Sequence, residues 1–213
     1  MDWINESVKR SDKLRNHYKM NEIDIFIKDP LPDGINADLV FKTLKKLVPS
    51  HLLGGVDIIY IGNFDVFKEK ETNAVFQDGA IYVSNKQDSD NDMIDDILHE
   101  LAHSVEERYT QIIYNDEALK KEFLGKRERL YDILFNYDYN PSPKIKTSYH
   151  YDQKIDMYFY KEVGYEAMWN LINGLLPSPY AATSLREYFA IGFESYFMGD
   201  RLQLKKICPI LYS

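Results

Sequence analysis

The stretch His99-Glu100-Leu101-Ala102-His103 sets two imidazoles four positions apart, with a carboxylate beside the first. On an α-helix this spacing puts His99 and His103 one turn apart on one face, where together they can hold a single Zn²⁺. Glu100 is then placed to take a proton from water activated by that cation. The flanks predict the helix. Met93, Ile94, Ile97, Leu98, Leu101 and Val105 recur at i, i+3, i+4 spacing and form an apolar stripe beside the histidines. Asp90, Asp92, Asp95 and Asp96 crowd its start, where the helix dipole favours negative charge. The ordinary alternative is two surface histidines beside a solvated glutamate, and the helical context weighs against it.

The rest of the chain bounds the answer. Its 213 residues suffice for one substantial core, in a single domain or in two lobes. A hydrophobic content of 45% with 28% charged residues is that of a soluble globular protein. A net charge of −8 argues against nucleic acid as a partner, because no broad basic surface would offset phosphate repulsion. The one cysteine, Cys208, excludes an internal disulfide and disfavours a cysteine-based metal site. The opening Met1-Asp2-Trp3-Ile4-Asn5-Glu6 lacks a basic n-region, and no apolar run is long enough to span a bilayer. A cytoplasmic protein without a membrane anchor is expected. A mature secreted form would read the same way.

Residues 1–20 mix Trp3, Ile4, Val8, Leu14 and Tyr18 with Lys9, Arg10, Lys13, Arg15 and Lys19, which predicts an amphipathic helical arm. Residues 21–110 read as a small α/β lobe. Ile23, Ile25 and Ile27 alternate with polar or aromatic neighbours as a strand, and residues 37–47 show helical periodicity. Residues 56–61 are apolar enough for a strand buried on both faces, and Asp78-Gly79 introduces a third strand over Ala80–Val83. Residues 111–213 read as mainly helical: helix over 115–136, loop over 137–153 around Asn140-Pro141-Ser142-Pro143, and helix again over 154–175. Eight tyrosines fall between Tyr131 and Tyr165, predicting a packed aromatic core with hydroxyls at its surface, or the lining of a substrate groove.

Catalytic zinc generally takes three protein ligands and a solvent molecule, so a further residue must close the site. Six positions beyond His103, where a metzincin carries its third ligand, stands Tyr109. Two glutamates compete instead. Glu122 follows His103 with 18 residues between, the spacing of aminopeptidase-type sites. Its neighbours Glu117, Lys121 and Lys126 form i, i+4 pairs of the kind found on a solvated helix face. Glu187 lies in Tyr180-Ala181-Ala182-Thr183-Ser184-Leu185-Arg186-Glu187-Tyr188-Phe189-Ala190, on a predicted helix. There Ser184-x-x-Glu187 also reads as a capping box.

A tyrosine seven residues before a glutamate that runs into a Glu-aromatic-Phe-Ala helix resembles the C-terminal catalytic region of the anthrax lethal factor-like zinc peptidases. The Pro-Pro endopeptidases are similar. The likeness covers residues 93–109 and 180–198, with a weaker one at 80–83. It implies an α+β, zincin-like fold forming a single catalytic domain over 1–213. An α/β lobe would carry the HExxH helix, a helical lobe would contain a long 115–178 insertion, and a cleft would run between them. It implies His99, His103 and Glu187 as metal ligands, Glu100 as general base and Tyr180 as oxyanion donor. It also implies that the strand before the active-site helix, here Ala80–Val83, lies at the cleft edge and pairs with an extended substrate. Two features depart from the family. Ile191 stands where a second glutamate is common, leaving Glu194 as a candidate support for the ligands, and the gap from His103 to Glu187 is long.

The expected function is a zinc-dependent endopeptidase acting on peptides or proteins. A cytosolic regulatory peptidase of the ImmA/IrrE kind is the nearer alternative, but it would place its third ligand much closer to His103, and no segment there matches. A non-catalytic, zinc-stabilised binding protein is the other; Glu100 weighs against it, since a structural site has no use for a base.

Overall fold

The computed structural model describes residues 17–70 and 72–213, a mixed α+β protein. It forms two compact units, residues 1–104 and 105–213. Of the helical arm expected over residues 1–20, residues 1–16 lie outside the described residues. Residues His17–Met20 are not helical: they form strand β1, because buried Tyr18 and Met20 alternate with exposed His17 and Lys19. A turn with Asn21 at φ 55° returns the chain into β2 (Ile23–Ile27). Helix α1 (Ala37–Leu47), capped by the Asn36 side chain, is followed by a 3₁₀ turn at Ser50–Leu53 and strand β3 (Ile58–Gly62). Helix α2 (Asp65–Lys70), strands β4 (Ala74–Gln77) and β5 (Ala80–Ser84), and helix α3 (Asp90–Ile113) complete the order.

The sheet runs β1-β2-β3-β5-β4, with β2, β3 and β5 parallel and the two edge strands antiparallel to their neighbours. Its register puts Ile25, Ile59 and Ile81 side by side, all fully buried. The adjacent row, Phe26, Tyr60 and Tyr82, stacks on the opposite face with centroids 6.0 and 5.5 Å apart and stays half-buried. Strand β3 is therefore buried on one face, not the two expected. Ile58 and Tyr60 keep partial exposure because pleating sends alternate side chains to the less covered side.

The substrate-strand assignment also changes. Ala80–Val83 lies in β5, which is paired on both sides, by β3 and β4, and so has no free edge. The edge belongs to β4, which composition did not announce. Asp78 and Gly79 both adopt positive φ (51° and 78°), the two-residue hairpin turn whose twist matches that of the strands it joins.

The second unit is helical. Helix α4 (Ala118–Asn136) contributes Phe123, Leu130 and Leu134 to its core. The expected loop 137–153 holds one helical turn, α5 (Lys144–Thr147), anchored by buried Ile145. The helix expected over 154–175 is interrupted. After α6 (Gln153–Met157) the chain winds as a π-helix at Tyr158–Val163, stops at Gly164 with φ 82°, and restarts as α7 (Tyr165–Leu171). That backbone angle costs glycine little and a residue with a Cβ much more. A 3₁₀ turn at Tyr180–Ala182 leads into α8 (Leu185–Phe197), followed by α9 (Arg201–Ile207) and α10 (Pro209–Tyr212). Gly192 lets α8 and α10 approach closely; a Cβ there would sit 2.5 Å from the Leu211 side chain.

Candidate metal centre

Helix α3 is regular through the pentapeptide; its one non-helical residue is Tyr109, further along. The His99 and His103 rings consequently share a face, with centroids 4.8 Å apart and planes at 84°. His103 is buried and His99 half-buried. Asp95 and Asp96 lie one turn before His99 on the same helix. Burial raises the pKa of each, and Gln87 donates to Asp96 Oδ2 at 2.8 Å.

Glu187 stands in the first turn of α8. Its backbone N–H donates to Ser184 Oγ at 3.1 Å, which satisfies one of the orphan donors at the helix start. That cap uses the backbone amide of Glu187 and not its carboxylate, so capping and ligation are compatible. His99, His103 and Glu187 each offer one ligand atom, and these atoms all lie within 4.8 Å of one another.

Glu122, the rival third ligand, is committed elsewhere. Its carboxylate accepts the Tyr188 hydroxyl at 2.8 Å and the Ile210 and Leu211 amides at 2.9 and 3.1 Å. It caps the start of α10 and pins that helix to α4. Nothing local in the sequence announces this role, because every partner lies 66 or more residues away.

Glu100 is buried, with 6% of its surface exposed, and its Oε2 accepts the Phe76 backbone N–H. Phe76 faces Ile81 across the β4–β5 hairpin. Counted from the two-residue turn this is a pair without mutual hydrogen bonds, so the amide of Phe76 points off the sheet edge. Tyr180 is held by its backbone: its carbonyl accepts both the Thr183 N–H (3.0 Å) and the Thr183 hydroxyl (2.8 Å). Buried Arg127 in turn donates to the Thr183 carbonyl at 3.2 Å. The Tyr180 phenol is pushed up strongly in pKa, first by burial and then by the charges of Glu187 and Asp156, so it stays a protonated donor.

Sequence reasoning missed three supports. Glu106, one turn past His103, accepts the Tyr114 hydroxyl at 2.6 Å and pairs with Arg186 at 3.4 Å, beside Glu187. Arg127 is the second. Asp156 is the third, accepting the hydroxyls of Tyr151 (2.8 Å) and Tyr165 (3.0 Å). Glu194, the suggested support, lies half-buried two turns along α8.

Two imidazoles and one carboxylate suit a cation of borderline softness such as Zn²⁺ and leave a fourth position for solvent. No family model, curated protein or solved structure matches this chain. Among the described residues no helix is long and apolar enough to cross a membrane.

Proposed function

We propose that the protein is a zinc-dependent endopeptidase of zincin type, with His99, His103 and Glu187 as ligands. One observation carries the reading: a carboxylate 84 residues beyond the histidine pair lies within 4.8 Å of it, while its sequence rival is occupied in anchoring a helix. Zn²⁺, when bound, would supply Lewis acidity, lowering the pKa of water toward ~7 and polarising the scissile carbonyl. Glu100 takes the proton as water adds to the carbonyl carbon, then hands it to the amine as the C–N bond breaks. Its burial and the Phe76 amide hold the carboxylate in one orientation for both transfers. Tyr180, kept protonated by its surroundings, donates to the oxygen that gains negative charge. An extended substrate would lie along β4, whose outer edge pairs with no strand among the described residues and whose Phe76 amide meets Glu100.

A peptide-library digest with and without chelator tests this. Zinc-loaded protein should cleave, chelated protein should not, and Glu100→Gln should keep zinc while losing turnover. Bound zinc with no cleavage of any peptide would favour the binding-protein alternative.

A further inference from the structure

Two phenols turn their hydroxyls onto one carboxylate in the tyrosine-dense segment. Tyr151 donates to Asp156 Oδ2 and Tyr165 to Oδ1. Tyr160 packs edge-on against Tyr165, with centroids 5.6 Å apart. Tyr151 and Tyr160 are more than half exposed, and Tyr180 is 36% exposed. Among the described residues no lysine or arginine forms an ion pair with Asp156, whereas its neighbour Asp152 has Lys144 at 3.8 Å. Burial and the Asp156 charge push the Tyr151 phenol up to about 12, and that of Tyr165 higher still. At neutral pH both phenols are therefore donors to the carboxylate. The Glu187 charge adds to the upward shift of both Tyr151 and Tyr180, after burial.

We propose that Asp156, with the rings of Tyr151, Tyr160 and Tyr165, forms a subsite that receives the cationic side chain of a lysine or arginine in the peptide substrate. Each carboxylate oxygen accepts one phenol and keeps a second lone pair, so a guanidinium or ammonium can still dock on it. Exposed tyrosine faces add attraction for a cation, and among the described residues no ion-paired lysine or arginine competes for the place. An uncompensated carboxylate beside a peptidase centre selects against acidic residues at that position by the same charge. This inference rests on the peptidase reading for its substrate, but the subsite can be tested without turnover.

Two measurements decide it. Wild-type protein should enrich Lys or Arg at one position of a cleaved peptide library, and Asp156→Asn should reduce that preference roughly 10- to 100-fold while neutral peptides are still cut. In parallel, N-acetyl-arginine-amide titrated into the protein should shift the ring resonances of Tyr151 and Tyr165. N-acetyl-norleucine-amide, or Asp156→Asn titrated with the arginine probe, should not. Tyr160→Ala, which leaves the hydrogen bonds to Asp156 in place, should weaken the arginine response. Arginine binding without any cleavage would keep the subsite and remove the peptidase reading. Cleavage with no basic preference, or equal shifts from both probes, would overturn the subsite alone.

Discussion

Glu122 and Glu187 are the two glutamates that the sequence offers as a third ligand, and the structure places Glu187 beside the histidine pair while Glu122 bonds the start of α10. Glu122→Ala deletes three hydrogen bonds to an ionised acceptor, at 2.8, 2.9 and 3.1 Å. It also strips an acceptor from the hydroxyl of fully buried Tyr188. Bonds to charged groups contribute roughly 1.5–3 kcal/mol each. Glu122 is part-exposed, its bonds are coupled, and water would re-satisfy the two amides, so the sum falls to about 3 kcal/mol. For a chain of this length that lowers Tm by roughly 6–12 °C. Zinc affinity should not change. Glu187→Ala reverses the pattern. The Glu187 amide still bonds Ser184 Oγ and keeps the helix cap, so the loss of metal-free stability should be smaller than that of Glu122→Ala. Zinc affinity should fall more than about 100-fold, beyond the range seen for residues that only support a ligand. Thermal denaturation in chelator and a competitive zinc titration read the two quantities separately. Loss of zinc binding in Glu122→Ala at unchanged Tm, or wild-type zinc affinity in Glu187→Ala, would refute the assignment.

Tyr180→Phe should keep fold and metal and lose roughly 10²–10³-fold in kcat, the usual effect of removing one oxyanion donor; unchanged kcat in a steady-state assay would take Tyr180 out of the mechanism. Arg127 is fully buried; among the described residues its Nε and Nη2 have no hydrogen-bond partner, and burial lowers its pKa from the free-group value to about 10, Asp152 opposing the shift. The unfolded chain therefore holds this proton more tightly, so the destabilisation is fully present at neutral pH and eases as pH rises from about 10 towards the free-group value. Arg127→Met should leave urea stability at pH 7 unchanged or higher by about 1 kcal/mol and remove that alkaline rise; a loss above about 3 kcal/mol would show that the guanidinium stabilises the fold.

The HExxH helix was legible because its signals are local: imidazoles four positions apart, an apolar stripe beside them and acids at the start. The place of Glu187 was not decidable from the sequence, because Ser184-x-x-Glu187 reads as a cap whichever way the carboxylate turns, and only the fold brings that carboxylate to the histidine pair. The i, i+4 lysines around Glu122 suggested an idle surface residue, whereas its partners come from α8 and the last turn of the chain. The tyrosine-rich stretch was visible as composition. Its organisation was hidden, because the π-helix at Tyr158–Val163 shifts the helical phase that would have shown which hydroxyls converge.

The edge strand is the instructive miss. Ala74-Val75-Phe76-Gln77 shows no alternation: its first two residues are buried, the third half-buried and the last exposed. Periodicity therefore passed over it, and β5 took its place as the presumed edge. Yet Asp78-Gly79 is a strong signal for a two-residue hairpin, and such a turn fixes the strand before it as firmly as the one after. Once Gln77 pairs with Ala80, Phe76 must fall opposite Ile81 with its amide directed outward. A turn read in both directions would thus have predicted β4 as an antiparallel neighbour of β5 and given Phe76 an amide in need of an acceptor. Glu100, an acid among the buried positions of α3, is that acceptor. The short strand and the buried glutamate are two ends of one hydrogen bond, which is why neither was interpretable alone.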